Sequence, residues 1–125
     1  MPATIRNTKE SLDNDKEQFP QISYDIRVMV FAAIYAYDNT SELEFAHMAA
    51  KLSMWLFGSN AANYRMYDSI TGRCYDGIDS SSSVNKNSGA ESTIEALLIL
   101  NEIEKFPVIK KILVEYIIKQ NEEII

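Results

Sequence analysis

Residues 22–58 read ISYDIRVMVFAAIYAYDNTSELEFAHMAAKLSMWLFG, and the fold follows from how this stretch divides. Ile22, Ile26, Met29, Val30, Ala33, Ile34 and Tyr37 recur at helical spacing, while Val28, Phe31 and Tyr35 occupy a second face. A helix apolar nearly all round is expected to sit centrally. Asp38-Asn39-Thr40 interrupts the pattern. Ser41-Glu42-Leu43-Glu44 then has the form of a capping box, in which a serine hydroxyl and a glutamate three residues on satisfy the orphan amides of a new helix. A short break followed by a fresh helix predicts an antiparallel hairpin. The second helix carries Leu43, Ala46, Ala50, Met54 and Phe57 on one side, and the small residues Ala46, Ala49 and Ala50 permit close approach to the first. It should stop at Gly58, which tolerates the left-handed position that ends helices.

From Gly58 to Ser88 no regular period is found, and Gly, Ser, Asn and Asp cluster, so a long loop is expected. Tyr64, Met66, Tyr67, Tyr75 and Ile78 pin it to the body, and the Ser80–Ser83 tip is left free. Ser88-Gly89-Ala90-Glu91 and Ser92-Thr93-Ile94-Glu95 both read as capping boxes opening a third helix that runs through Ile94, Leu97, Leu98 and Ile103 to about Lys105. Pro107 suits the first turn of a fourth, in which Ile109, Ile112, Leu113, Tyr116 and Ile117 form one stripe and Val114 and Ile118 a second. The expected fold is all-α: two antiparallel helical hairpins joined by a long ordered loop between the second and third helices. Residues 1–20 are read as a loose arm in which Ile5, Leu12 and Phe19 are open to burial, and 21–125 as a single helical domain.

Composition bounds the function. A chain of 125 residues buries about two thirds of its unfolded surface, enough for one core. The net charge of −6 opposes nucleic acid, and Lys105, Lys110, Lys111 and Lys119 are interleaved with glutamates as a solvated face. Val28 to Ala36 is the longest apolar stretch, far below the roughly 20 residues needed to span a bilayer, and the polar first 19 residues carry no signal-peptide core. Cys74 is the only cysteine, so neither a disulfide within the chain nor a thiolate cluster is expected, and His47 reads as a structural residue on a helix. The expected setting is cytoplasmic, with no cofactor and no metal.

Chemistry, if present, belongs to the loop. Tyr67, Asp68, Arg73, Tyr75, Asp76, Asn87 and Glu91 are the candidate ligand-binding residues, because loops on a rigid scaffold carry binding groups, tyrosines stack on sugar faces, and carboxylates bond hydroxyls. Asp68, Asp76, Glu91 and Glu95 are the carboxylates from which glycoside hydrolysis would draw an acid and a base. The competing reading takes Thr71-Gly72 and Asp76-Gly77 as turns, the aspartates as caps of backbone amides, and the tyrosines as a seal on the core. No catalytic residue is assigned.

Trp55-Leu56-Phe57-Gly58-Ser59-Asn60, Met66-Tyr67-Asp68, Thr71-Gly72-Arg73-Cys74-Tyr75-Asp76-Gly77-Ile78 and Val84-Asn85-Lys86-Asn87-Ser88-Gly89-Ala90-Glu91-Ser92-Thr93 together resemble the closing part of a helical toroid region. Such regions follow the catalytic domain of some prokaryotic glycosyltransferases and are similar to the hairpin toroids of several glycosidases. The resemblance spans residues 22–106 and keeps the order and spacing of the motifs. Ser88 departs from the family's glutamine, and Ser80–Ser83 lengthens the loop. A full toroid uses about six hairpins, whereas this chain has residues for two, so it cannot enclose the usual cleft alone. The resemblance implies a carbohydrate-processing lineage and no active site. The leading expectation is a module that associates with itself or with a longer glycosyltransferase- or hydrolase-like chain, through helix one and the Val114/Ile118 stripe. The alternative is a sugar-binding protein or a glycoside or glycosyl-transfer enzyme using the Tyr67–Glu91 loop.

Overall fold

The computed structural model describes residues 21–124, so the expected arm, 1–20, lies outside the described residues. The chain order is β1 (Gln21–Ile22), α1 (Ser23–Thr40), α2 (Leu43–Ser53), a 3-10 turn (Met54–Phe57), β2 (Gly77–Ser80), β3 (Ser83–Asn85), α3 (Ala90–Glu104) and α4 (Pro107–Ile124). The protein is mostly helical. The all-α expectation is corrected by a small antiparallel sheet of order β1-β2-β3. Gln21 pairs with Ile78, Ile22 with Gly77, Gly77 with Asn85 and Ile78 with Val84. Strands this short carry no alternation, so periodicity could not reveal them. The serine tip expected to be free is the turn of the β2–β3 hairpin, closed by the Ser80–Ser83 pair.

Gly77 is demanded by this sheet. A Cβ there would lie 2.6 Å from the Gln21 carbonyl oxygen and 3.1 Å from Ile22 Cγ2. Only a residue without a side chain lets β1 approach so closely.

The expected Ser41 capping box does not form. α1 continues through Asn39 and Thr40, whose side chains donate to the Tyr35 and Ala36 carbonyls at 2.9 and 2.7 Å. Ser41 instead takes φ +61° as the left-handed closing residue of α1, its N–H donating to the Tyr37 carbonyl at 2.7 Å, and Glu42 becomes the N-cap of α2. Gly58 closes the 3-10 turn at φ +112°, as its position predicts. The Ser88 box is likewise absent, since α3 begins after Gly89 with no side-chain cap of its own.

α1 packs mainly on α2 and α3, and α2 mainly on α1 and α4. Arg27 and Glu95 pair near the starts of α1 and α3, while the Tyr37 and Phe106 rings meet edge-on at 6.3 Å at their ends, so these helices run parallel. His47 reaches Tyr116, and farther along Gln120 reaches Phe57, so α2 and α4 are parallel too. The two hairpins therefore stack side by side in the same direction. Fully buried Ala46, Ala49 and Ala50 permit the close α1–α2 contact, and Val30, Ile34, Leu56, Ile99 and Ile109 fill the centre. α1 is not central. It occupies a corner, with Tyr24, Val28, Met29 and Tyr35 about half exposed. In α3 the inward residues are Ala96, Ile99 and Ile103, whereas Ile94, Leu97 and Leu98 face out.

Candidate association surface

Asp68 is consumed by its own turn. Its Oδ1 accepts the Ile70 N–H at 2.9 Å and its Oδ2 the Thr71 hydroxyl at 2.9 Å, while its backbone accepts from Gly72 and donates to the Arg73 carbonyl, both at 2.8 Å. The bond from the Ile70 amide, followed by that from Thr71, holds the carboxyl below its ordinary value, which is the opposite of a group poised as an acid. The Tyr67–Cys74 bridge closes this turn from outside.

Asp76 performs a longer-range version of the same task. Its Oδ1 accepts the Gly89 N–H at 2.8 Å and the Ser92 hydroxyl at 2.7 Å, and its own N–H donates to the Asn87 carbonyl at 2.8 Å. A carboxylate from the loop thus caps α3 in place of Ser88 and sits where the helix dipole favours negative charge. Ser92 spends its hydroxyl on Asp76, and Glu95, expected as its capping partner, pairs across the helices with Arg27.

The structure divides the candidate site residues. Tyr67, Asp68 and Tyr75 line one cleft of about 330 Å³ together with Tyr64 and Arg65. Asp76 and Glu91 line another, of about 350 Å³, beside Ser23, Tyr24 and Glu95. Arg73 and Asn87 line neither. Tyr67 packs edge-on to Phe57 with centroids 6.1 Å apart, and Tyr75 lies against Tyr64 at 6.0 Å, so both rings already have aromatic partners. Cys74 is fully buried, its thiol pushed up by desolvation and in contact with the Ser23 hydroxyl at 3.4 Å. It is packed, not reactive. Among the described residues no group of three His, Cys, Asp or Glu converges on a common point.

Several organising residues escaped sequence reasoning. Asn60 ties down the loop start, its side chain donating to the Trp55 and Tyr64 carbonyls at 2.8 and 2.7 Å and accepting from the Ala62 and Tyr64 amides at 3.2 Å. Arg27 lies over the Tyr24 and Phe31 rings while pairing with Glu95. A lone arginine flanked by aromatics three residues before and four after is a legible signal for such stacking.

What the helices leave open is apolar. On α1, Tyr24, Val28 and Tyr35, with half-buried Phe31 between them, form one outward stripe, and Leu98 of α3 is exposed too. Val114 and Ile118, the second stripe of α4, are 43% and 52% exposed, as expected of a face that four helices do not cover. Met48 on α2 and Ile94 and Leu97 on α3 are exposed as well, as are Met29, Leu43, Tyr64, Ile70 and Val108. Scattered exposed leucines need no explanation, whereas large apolar side chains that recur along one face of a helix form a stripe. Among the described residues no helix is long and apolar enough to cross a membrane. No protein-family model and no curated protein matches the chain.

Proposed function

We propose that this chain is a helical-hairpin module that acts by associating with another protein and performs no independent catalysis. The carrying observation is the contrast between its two kinds of surface. The loop carboxylates Asp68 and Asp76 accept bonds from nearby backbone amides and hydroxyls, as structural caps do, whereas the outward stripes of α1, α3 and α4 hold large apolar side chains without a covering element. The chain partners with itself or with a longer glycosyltransferase- or hydrolase-like chain; the motif resemblance supports a carbohydrate-processing lineage, and the single cysteine supports a reducing, cytoplasmic setting.

One observation favours a second reading: Tyr67, Asp68 and Tyr75 share a cleft of about 330 Å³, a size suited to a single sugar ring. Size exclusion with light scattering, combined with amide shift mapping during titration of soluble sugars and nucleotide sugars, separates the two. Association without sugar-dependent shifts supports the module. A monomer with saturable shifts at Tyr67, Asp68 and Tyr75 replaces it with the sugar-binding protein.

A further inference from the structure

A cleft of about 450 Å³, larger than the two that hold the loop candidates, opens between the end of α2, the start of the long loop and the second half of α4. Lys51 borders it from α2 and Lys119 from α4, with Met54, only 5% exposed, as its apolar floor. Ser59 and Asn63 line it from the loop, and Tyr116 and Gln120 from α4. The frame is fixed from behind. Gln120 donates to the Phe57 carbonyl at 2.8 Å and accepts the Ser59 hydroxyl at 3.4 Å, the Tyr116 hydroxyl lies 2.9 Å from His47 Nδ1, and the Asn63 N–H donates to the Asn60 carbonyl at 3.0 Å. Segments distant in sequence are thereby held together before any ligand arrives, which lowers the ordering cost of binding.

Charge sets this cleft apart. The chain carries 18 acidic against 12 basic residues, and carboxylates enter both other clefts, Asp76, Glu91 and Glu95 in one and Asp68 in the other. Here the charged groups of the lining are two lysines. Among the described residues the ion pairs are Arg27–Glu95, Lys105–Glu102 and Lys110–Glu104, so Lys51 and Lys119 are committed to no carboxylate there. Glu115 and Glu122 share α4 with Lys119 and lie outside the lining. A lysine ammonium is a compact charge with three donors and suits phosphate oxygens, and the volume is that of a small-molecule site. A phosphate monoester places two negative charges on one group that both lysines can share, whereas a dicarboxylate spreads them apart.

Going beyond the association reading, we infer that this cleft binds a small phosphate monoester, its phosphate held by Lys51 and Lys119 with the Ser59 hydroxyl and the Asn63 amide as further donors, and its carbon body against Met54. Asn63 also borders the cleft of Tyr67 and Tyr75, so Lys51, Ser59 and Lys119 are the positions that report on this site alone.

The test titrates the full chain with glycerol 3-phosphate, glycerol and succinate, read by amide shifts, and sediments it with phosphatidylcholine vesicles containing phosphatidic acid. Glycerol 3-phosphate should give saturable shifts centred on Lys51, Ser59 and Lys119 with a Kd of about 1 mM or tighter, and glycerol none. Lys51→Gln and Lys119→Gln should each weaken binding about tenfold, the loss of one charge-assisted bond, with folding checked by circular dichroism. Lys111→Gln removes the same charge from α4 outside the cleft and should change the Kd by less than about twofold. Shifts spread evenly over the exposed lysines overturn the inference, as do an equal effect of Lys111→Gln and succinate binding as tightly as the ester. Cosedimentation with the vesicles without saturable binding of the soluble ester assigns the lysines to a lipid surface and overturns it too. Shifts confined to Tyr67, Asp68 and Tyr75 overturn it in favour of the loop cleft. The wild-type titration decides by itself where a variant is unfolded, and none of these outcomes removes the association reading.

Discussion

Replacing Asp76 by alanine should destabilise the fold far more than is usual for a half-exposed loop residue. The carboxylate accepts two short bonds, from the Gly89 amide at 2.8 Å and the Ser92 hydroxyl at 2.7 Å, at the first turn of α3. Hydrogen bonds to a charged acceptor contribute about 1.5–3 kcal/mol each when well shielded. Gly89 is exposed and Ser92 only half-buried, so the lower end applies, and the favourable dipole of about 0.3–1 kcal/mol overlaps with the amide bond. The expected loss is about 2–3 kcal/mol. Asp76→Asn keeps an oxygen in place and gives up only the charge, for a loss of about 1 kcal/mol. Urea unfolding followed by the fluorescence of buried Trp55 reads both variants. With a slope of about 1.5–2 kcal/mol per molar, alanine should lower the midpoint by about 1–2 M. A midpoint within about 0.3 M of the wild type would refute the structural role of Asp76 and return it to the candidates for ligand binding.

Gly77→Ala should weaken the sheet by about 1–3 kcal/mol, since its Cβ would meet the Gln21 carbonyl oxygen at 2.6 Å, and a melting curve unchanged within error would contradict the β1–β2 pairing. Asp68 is held below its ordinary value of 3.8, so its stabilisation is complete above that pH and disappears as pH falls through the lower folded value. The stability difference between wild type and Asp68→Asn should therefore narrow on acidification, and a gap constant from pH 6 to pH 2 would count against the Ile70 and Thr71 bonds. Cys74, buried with its thiol pushed up, should react with a disulfide reagent only as fast as the protein opens, so rapid labelling under native conditions would contradict its packing.

The α4 core stripe and the halt at Gly58 were legible because each rests on a local cause: a period of 3.6 with one dominant apolar face, and the φ that a glycine tolerates. The inward face of α3 was not legible, for the converse reason. Ile94, Leu97, Leu98, Ile99, Leu100 and Ile103 surround it, so period alone selects no face. The hairpin contacts chose Ile99 and Ile103, together with Ala96, which is small enough for close packing. The capping boxes failed similarly. Ser41 and Ser88 have the right local spacing, but Ser41 is taken up in the left-handed closure of α1, and at α3 the distant Asp76 carboxylate takes the Gly89 amide in place of Ser88.

By itself the sequence determined that four helices form and where Gly58 and Pro107 punctuate them, because helix period and backbone φ act within a few residues. Tertiary structure alone decided the sheet, whose strands pair residues more than fifty positions apart at Gln21 and Ile78, the Arg27–Glu95 pair, and which apolar stripes remain uncovered. Those depend on which surfaces the two hairpins present to each other, and a local pattern carries no information about which of two apolar faces will find a partner.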